Sequence, residues 1–390
     1  MRRIFENGRI VLPGGVSQGV RLLAEGDRIL DPAFRGERPE GEVVNLEGGW
    51  LLPGFIDLHL HGGDGADFMD GSPEAFRRAC KVHCRHGTTS LCPTTVACSK
   101  EELFRLFDVC RETGDTGADI LGLHLEGPYI SQEFRGAQPE RFVRDPDPQE
   151  VDEILERADG LIARWSSAPE LPGMEVLAGK LRKRGILCAV AHSAATCEDV
   201  EAAFGWGFTH ITHLYSSIPS VRKLNQRVHA GVIEAAYLLD DMTVELIGDG
   251  RHVPKELMQT VVKLKGPDRV ALITDAMRAA GSSVTESFLG SPADGNRVII
   301  EDGVAKLPDR SFFAGSVATA DHVFRNAVTE YGFPPETVSR MMSGTPAKIL
   351  GRYGELGSLS AGKRTDLVVM DRDFQVRQVY VRGRLVFAIN

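Results

Sequence analysis

Eight short apolar runs, separated by segments of helical length, constrain the fold of this chain more than any other feature. The runs lie at residues 51–63, 88–94, 120–126, 161–166, 186–192, 208–213, 244–249 and 270–275. Apolar residues recur at helical spacing in the intervening segments 72–86, 100–113, 174–183, 197–204 and 254–264. Strands that alternate with helices indicate parallel βα units, and eight such units close a barrel. The sequence therefore predicts an α/β protein built on a (β/α)8 barrel of the TIM type.

The two ends of the chain lack this alternation. Residues 1–50 contain short β-like runs broken by Gly and Pro, and residues 357–387 return to the same pattern. We expect both ends to build one small, discontinuous β-sandwich domain beside the barrel. The predicted bounds are 1–53 and 352–390 for this domain and 54–351 for the barrel.

A further irregularity follows the eighth apolar run. Around residues 282–315 the helical pattern lapses, and an Asp-Gly turn at 302–303 lies between two apolar runs. This turn is typical of a β-hairpin. We therefore expect a hairpin insertion near 282–315, before two final helices at 317–330 and 335–350.

Polar side chains follow the predicted strands where each strand ends. His59 and His61 are two residues apart on a strand, so both side chains point to the same face. The ends of later strands carry Glu126, His192, His213 and Asp275. A single histidine at such a position is more often a structural residue, but the carboxyl ends of barrel strands gather at one face. Imidazoles and carboxylates are the donors that catalytic zinc or a pair of divalent ions binds, so the pattern predicts a metal site.

Composition and charge exclude several functions. Acidic residues outnumber basic residues by 54 to 45, and the chain has no basic cluster that would track a phosphate backbone, which argues against nucleic-acid binding. No apolar stretch approaches the ~18 residues of a membrane span, and the N-terminal residues lack a signal-peptide core. The seven cysteines are scattered and odd in number, as expected for reduced thiols. We expect a cytoplasmic protein with no membrane partner.

Several motifs together resemble one known family. They are Pro53-Gly-Phe-Ile-Asp-x-His-x-His-Gly62, His124-x-Glu-Gly-Pro128, Ala168-Pro-Glu170, His192-Ser193, Thr212-His-Leu-Tyr215, Asp249-Gly-x-His-Val-Pro254 and Thr274-Asp-Ala276. The motifs, with a closing β segment at 357–371, are similar to those of the N-acetylglucosamine-6-phosphate deacetylases of the amidohydrolase superfamily. The resemblance covers almost the whole chain, and the Glu126 and Asp249 motifs are the more specific ones.

The resemblance implies a ligand set and a reaction. Glu126, His192 and His213 would hold the principal ion, and His59, His61 and Asp275 a second one, with Glu126 able to bridge the two. Zinc is the first expectation and iron the second, with one or two ions per subunit. Asp275 would also act as general base, accepting a proton from water and returning it to the leaving amine.

The implied substrate is an N-acetyl amino-sugar phosphate, with N-acetylglucosamine 6-phosphate first and its galactosamine epimer second. Ala137 and Gln138 would contact the acetyl group and the sugar, and His252 the sugar hydroxyls. Family members bind the phosphate through an Asn-Ala pair and a later arginine that crosses a dimer interface. The corresponding candidates here are Ser216, Ser217, Arg222 and Arg227. A homodimer is therefore expected, with either arginine serving the neighbouring subunit.

Three other readings compete with this one. Cyclic-amide hydrolases of the superfamily carry a carboxylated lysine on the fourth strand, and residues 161–167 contain no lysine. An enzyme acting on N-acylated amino acids, such as a D-aminoacylase or dipeptidase, stays open and would favour a pocket for an α-carboxylate. A binding protein derived from such an enzyme would be expected to lack a ligand or Asp275, and this chain keeps them all.

Overall fold

Parallel strands in chain order form the barrel of the computed structural model, which describes residues 1–389. The strands are Phe55–Leu60, Thr88–Pro93, Leu123–Glu126, Ile162–Ser167, Leu187–Val190, Phe208–Ile211, Thr243–Ile247 and Val270–Ile273. The third to eighth strands form one sheet, and the first and second pair in another with the short strand Asp119–Ile120. Single bridges, Leu60 to Ala276 and Thr94 to His124, connect the two sheets into a closed ring. The predicted (β/α)8 barrel is confirmed.

Helices follow the barrel strands and cover the outside of the sheet. The α-helices are Pro73–Arg85, Lys100–Glu112, Pro148–Ala158, Met174–Lys183, Cys197–Trp206, Val232–Leu238, Lys255–Lys265, Ala320–Thr329, Pro335–Ser339 and Thr345–Ile349. One turn of π-helix, Arg340–Gly344, joins the last two, and Phe68–Asp70 and Glu140–Phe142 are 3₁₀ turns. Within residues 1–389, none of these helices is both long enough and apolar enough to cross a membrane.

Two of these helices were not predicted. Pro148–Ala158 begins with a sequence signal, because Asp147 caps it by accepting a hydrogen bond of 2.8 Å from the Glu150 backbone and Pro148 occupies the first helical position. Val232–Leu238 is only seven residues long and is buried along most of its length. Periodicity is a weak signal over so few residues.

Both ends of the chain contribute to a pair of β-sheets beside the barrel. One sheet has the strand order Arg28–Phe34, Arg21–Glu25, Arg2–Glu6 and Glu42–Asn45. The other runs Arg384–Ala388, Val376–Val381, Leu367–Met370, Trp50–Pro53, Arg9–Leu12 and Gly15–Gln18. Their shared core includes Phe5, Leu22, Leu51, Leu367 and Tyr380. The predicted discontinuous β-sandwich is confirmed, while the exact domain bounds stay a prediction.

The region after the eighth strand contains a larger insertion than the single predicted hairpin. Four antiparallel strands occupy it: Glu286–Leu289, Asn296–Glu301, Val304–Lys306 and Phe313–Ser316. The last of them returns to the barrel, where the Ser316 backbone N–H donates to the Asp275 carbonyl over 2.7 Å. Two shorter hairpins follow the first and sixth barrel strands, Gly62–Gly63 with Ala66–Asp67 and Arg222–Leu224 with Arg227–His229.

The close contact between the first two barrel strands leads to a stability prediction. A Cβ added at Gly54 would lie 2.0 Å from the hydroxyl oxygen of buried Thr89, so Gly54→Ala should lower the free energy of unfolding by about 1–3 kcal/mol. Gly179 is the matched control, since it lies inside the helix Met174–Lys183 and an added Cβ meets nothing within 4 Å. Gly179→Ala should raise stability by about 0.5–1 kcal/mol. Urea unfolding followed by circular dichroism measures both, and equal effects would contradict the predicted contact.

Candidate metal centre

Two groups of three buried side chains converge at the carboxyl ends of the barrel strands. The first group is His59, His61 and Asp275, and the second is Glu126, His192 and His213. Within each group, one potential ligand atom per residue lies within 4.8 Å of the others. These are the six residues in which the sequence analysis predicted metal ligands. Their roles stay predictions, but the fold brings all of them together.

The spacing of the first group fits an ion. The Nε2 atoms of His59 and His61 are 3.3 Å apart, and the Asp275 Oδ1 atom is 3.5 Å and 3.3 Å from them, respectively. Ligands at ~2.0–2.1 Å from a tetrahedral zinc ion lie about 3.3–3.4 Å from one another. The donor set of two imidazoles and a carboxylate is therefore already at ligand spacing.

Glu126 connects the two groups. Its Oε1 atom lies 2.9 Å from His213 Nε2, 3.2 Å from His192 Nε2 and 3.5 Å from His59 Nε2. Its Oε2 atom lies 3.5 Å from His61 Nε2. A carboxylate with one oxygen near each group has the geometry to bridge two ions.

Electrostatics favour positive charge at the same place. Burial by itself would raise the pKa of Glu126, but the charge on His59 and hydrogen bonds from His192 and His213 hold that pKa well below its usual range. Burial would lower the pKa of His59, and the Glu126 and Asp275 carboxylates overcome this and raise it to about 10. The buried carboxylates are thus ionised and draw a proton onto an imidazole between them. A divalent cation satisfies the same demand for positive charge.

Three of the six residues adopt a strained backbone where the strands end. His192, His213 and Asp275 have φ angles of 45°, 31° and 48°, in the left-handed region that non-glycine residues rarely occupy. Each such residue costs on the order of 1–3 kcal/mol, and strain of this kind clusters at functional sites. Backbone hydrogen bonds hold these turns, among them Asp275 N–H to the His59 carbonyl at 2.9 Å.

Gln138 has a defined orientation beside Glu126. Its side-chain oxygen accepts a hydrogen bond of 2.7 Å from the Ala97 backbone N–H, so its amide nitrogen must face the other way. That nitrogen donates to Glu126 Oε2 over 2.7 Å. Gln138 was predicted to contact substrate. In the structure Gln138 is 3% exposed, and its two side-chain hydrogen bonds are to the Glu126 carboxylate and the Ala97 N–H.

Three buried charged residues support the site and were not predicted as part of it. Asp57 accepts from the His59 backbone N–H at 3.2 Å and from the Thr274 hydroxyl at 2.5 Å, which links the ends of the first and eighth strands. Glu245 lies 3.4 Å from His59 Nδ1 and pairs with Arg164. A charged residue inside an apolar strand run was the available sequence signal for Arg164 and Glu245.

One cavity opens onto the two groups. Its lining residues are His61, Glu126, Ala137, Gln138, His192, His213, Tyr215, Ser216, Ser217, His252, Asp275, Leu289, Phe312, Phe313 and Gly315. The predicted substrate residues Ala137, Gln138, Ser216, Ser217 and His252 are therefore all brought to one space. The insertion supplies its apolar rim, where Phe312 and Phe313 are each nearly half exposed.

His252 is fixed by a neighbouring carboxylate. Its Nδ1 atom lies 2.7 Å from Asp249 Oδ2, and its backbone N–H donates to Asp249 Oδ1 at 3.0 Å. Burial would lower the pKa of His252, but the hydrogen bond to Asp249 and that carboxylate's charge raise it. The Phe313 ring packs against the imidazole edge at a centroid distance of 4.9 Å. The second ring nitrogen, Nε2, is left for contacts within the cavity.

The two predicted phosphate-binding arginines lie outside the cavity. Arg222 donates to the Ala194 carbonyl, approaches Glu133 Oε1 at 3.5 Å and stacks over the Phe134 ring. Arg227 lies on the other strand of the same hairpin, is exposed, and forms no ion pair with any residue in 1–389. Within one chain, neither arginine reaches the residues that line the cavity.

Sequence comparison agrees with this architecture. A profile of the amidohydrolase family matches residues 50–386. The chain belongs to the amidohydrolase family. Members of this family are metal-dependent, and the two convergent groups are the candidate metal-binding residues of this amidohydrolase.

Individual relatives of this amidohydrolase narrow its position within the family. It is 33% identical over 358 residues to the N-acetylglucosamine-6-phosphate deacetylase of Vibrio furnissii, covering 91% of this chain and 87% of that protein. It is 32% identical over 347 residues to the N-acetylgalactosamine-6-phosphate deacetylase of Escherichia coli O157:H7, covering 88% and 89%. The predicted resemblance to the N-acetylglucosamine-6-phosphate deacetylases is confirmed.

A solved structure of a deacetylase of the same name is also similar to this chain. The N-acetyl-D-glucosamine-6-phosphate deacetylase of Mycobacterium smegmatis, as a mutant in complex with N-acetyl-D-glucosamine-6-phosphate, superposes with a TM-score of 0.89. The two chains are 32% identical, and the match covers 99% of each.

The hydrogen bonds of Gln138 lead to a prediction that needs no metal. Gln138→Leu leaves the ionised Glu126 and the Ala97 N–H without these partners, and it should lower the free energy of unfolding by about 2–4 kcal/mol. Gln132→Leu is the control, because Gln132 is exposed and donates only to backbone carbonyls, that of Val143 at 3.2 Å and that of Glu140 at 3.5 Å. Thermal unfolding of both variants in the presence of a chelator tests this. Equal melting temperatures would show that the Gln138 bonds contribute no stability.

Proposed function

We propose that this amidohydrolase hydrolyses the acetamide of an N-acetyl amino-sugar phosphate, with N-acetylglucosamine 6-phosphate as the preferred substrate. The main support is that Glu126, His192, His213 and Asp275 converge on one cavity. The same cavity also presents hydroxyls and an imidazole. The four metal-site residues suit an amide carbonyl, and the hydroxyls and the imidazole suit a sugar. The names of its relatives support the same substrate class.

The residues of the centre divide into ion-holding and proton-transferring roles. Glu126, His192 and His213 would hold the principal ion, and His59 and His61 with Asp275 a second. When bound, a divalent ion supplies a Lewis acid that polarises the amide carbonyl and makes water acidic enough to be deprotonated near pH 7. Zinc is the first candidate and iron the second, since both accept imidazole and carboxylate ligands.

Asp275 carries the proton between water and the leaving amine. Its pKa is held below the usual range, because the charge of His59 and the hydrogen bond from His61 outweigh the effect of burial. The carboxylate is therefore ready to accept a proton from the attacking water. It then gives that proton to the amide nitrogen as the C–N bond breaks, which yields acetate and the free amino sugar.

Substrate orientation follows from the fixed polar groups of the cavity. Asp249 holds the His252 ring, whose Nε2 would contact a sugar hydroxyl. Ser216 and Ser217 offer hydroxyls for the phosphate, and Ala137 borders the acetyl group. Gln138 keeps Glu126 in place through its amide nitrogen.

Asp275→Asn should lower kcat by about 10²–10⁴-fold with N-acetylglucosamine 6-phosphate, because the amide cannot accept the proton. The melting temperature and the binding of the principal ion by Glu126, His192 and His213 should change little. Asp321→Asn is the matched control, since Asp321 is also a buried aspartate paired with a histidine, His86, but it does not line the cavity. Near-normal turnover by the Asp275 variant would rule out its role in proton transfer.

Acetate release from three sugars tests the substrate. We expect strong release from N-acetylglucosamine 6-phosphate, less from N-acetylgalactosamine 6-phosphate and little from unphosphorylated N-acetylglucosamine. Preference for the galactosamine epimer would establish the second candidate, which the similarity to the Escherichia coli enzyme favours. Release from none of the three, together with turnover of N-acylated amino acids, would overturn the proposal.

Metal removal tests the cofactor. Dialysis against a chelator should abolish acetate release, and added Zn²⁺ should restore it more fully than Fe²⁺. Elemental analysis should find one or two ions per chain in the untreated enzyme. Full activity of a chain shown to be metal-free would contradict the assignment of the centre.

We also infer a cytoplasmic homodimer. All seven cysteines are free, as expected in a reducing compartment. The hairpin that carries Arg227 exposes two large apolar side chains, with Val221 59% and Val228 65% exposed. A second copy of the chain that covers this hairpin would bury both valines and bring Arg227 towards its cavity.

Mixed dimers can test whether Arg227 acts across the interface. Arg227→Ala alone should raise the KM for the phosphorylated sugar, while Arg222→Ala should act less on KM because Arg222 is bound within its own chain. Mixing the Arg227→Ala and Asp275→Asn chains creates one cavity with a normal Asp275 and a normal arginine from the partner. We expect low-KM activity to return in the mixture. Its failure to return, with dimers verified by light scattering, would place the arginine in its own chain.

A further inference from the structure

A buried ion pair lies inside the barrel beneath the candidate metal centre. Arg164 on the fourth barrel strand and Glu245 on the seventh are both completely buried. Arg164 donates one N–H to Glu245 Oε1, and the same nitrogen, Nη1, lies 3.2 Å from the Leu58 carbonyl oxygen. Its other terminal nitrogen donates to the Thr212 hydroxyl at 2.9 Å. Burial would raise the pKa of Glu245, but the charge of Arg164 holds that pKa well below the usual range.

Glu245 faces the backs of the residues that form the centre. Its Oε2 atom lies 3.4 Å from His59 Nδ1 and 3.4 Å from the His213 backbone nitrogen. Its Oε1 atom lies 3.1 Å from His210 Nε2. The same carboxylate therefore touches one residue from each of the two candidate metal-binding groups.

The contact with His59 decides which ring nitrogen faces the ion. A hydrogen bond from Nδ1–H to the carboxylate leaves Nε2 as the atom with a free lone pair, and Nε2 is the atom 3.3 Å from His61 Nε2. Within residues 1–389, the Nδ1 atoms of His61 and His213 have no hydrogen-bond partner, and that of His192 contacts the Phe134 carbonyl. Among the four imidazoles, His59 alone has a carboxylate behind it in the described chain.

A contribution to folding stability does not by itself explain this buried ion pair. Two charges taken out of water lose much of their hydration, and replacing a buried ion pair by apolar side chains is often neutral or stabilising. A carboxylate behind a metal-binding imidazole, in contrast, fixes the ring and makes it a stronger ligand. Arg164 then serves to direct the Glu245 carboxylate at His59.

We propose that Glu245 is a positioning residue for His59, held in place by Arg164, and that it strengthens ion binding by the group of His59, His61 and Asp275. This inference rests on the proposed metal centre. It predicts that the loss of Glu245 weakens one of the two groups and spares the other. A purely structural ion pair would affect both alike or neither.

Zinc titration of the 390-residue chain tests this, after the metal has been removed and with a competing chromophoric chelator to follow binding. His59→Ala first identifies which binding step belongs to its group. Glu245→Gln should weaken that same step by about 10–100-fold and change the other by less than threefold. Asp366→Asn is the matched control, because Asp366 and Arg364 form a buried pair at 2.7 Å at the β domain, and this variant should leave both steps unchanged.

A second variant separates positioning from folding. Arg164→Met combined with Glu245→Leu removes both charges, so it should keep a melting temperature near that of the unaltered chain while zinc binding stays weak at the His59 step. Normal zinc binding by this double variant, or an equal loss at both steps in Glu245→Gln, would overturn the inference. So would a His59→Ala chain that binds zinc normally. If the unaltered chain binds no divalent ion at all, the proposed function fails first.

Discussion

The Glu126 carboxylate is the group on which the rest of the centre depends. It is buried, it is ionised, and its two oxygens face donors from four other segments of the chain, the ends of the first, fifth and sixth strands and the loop of Gln138. A buried carboxylate is stable only when it is paired. The side chain of each histidine that pairs with Glu126 must therefore have the correct position and direction at the end of its strand. A closed parallel barrel meets this demand because all its strands end at the same face.

The barrel also supports the strain that the centre contains. Three of the converging residues have left-handed backbone angles, and the turns they form are held by hydrogen bonds between neighbouring strand ends. The Asp275 N–H bonds to the His59 carbonyl, and the Asp275 carbonyl accepts from Ser316 at the end of the insertion. The insertion therefore has two roles, since it completes the backbone around Asp275 and supplies the aromatic rim of the cavity. Strain at the ligand positions persists because the surrounding strands determine it.

The metal-site residues could be predicted from the sequence because they lie at the ends of regularly repeated strands. Polar residues at the ends of apolar runs had to meet at one face, so His59, Glu126 and Asp275 could be placed together without coordinates. The sequence could not predict whether Arg222 and Arg227 line the cavity. The direction of their hairpin is set by tertiary contacts, such as that of Arg222 with the Ala194 carbonyl. The Arg164–Glu245 pair was visible only as two isolated charges in buried strands. Their partnership depends on the barrel closing, which brings strands four and seven within reach of each other.

The charge of the cavity bears on how a phosphorylated sugar could be held. Among the described residues that line it there is no lysine or arginine, and the side chains at its outer part are serines, His252 and aromatic groups. A phosphate carries up to two negative charges, and neutral hydroxyls bind it more weakly than a guanidinium, which offers charge and paired donors together. The chain does carry a suitable cation on the hairpin that follows the sixth strand, but the side chain of Arg227 points to solvent there. In the proposed homodimer, a second copy of the chain would supply the missing positive charge, so the metal centre would be complete within one subunit while substrate recognition would need two.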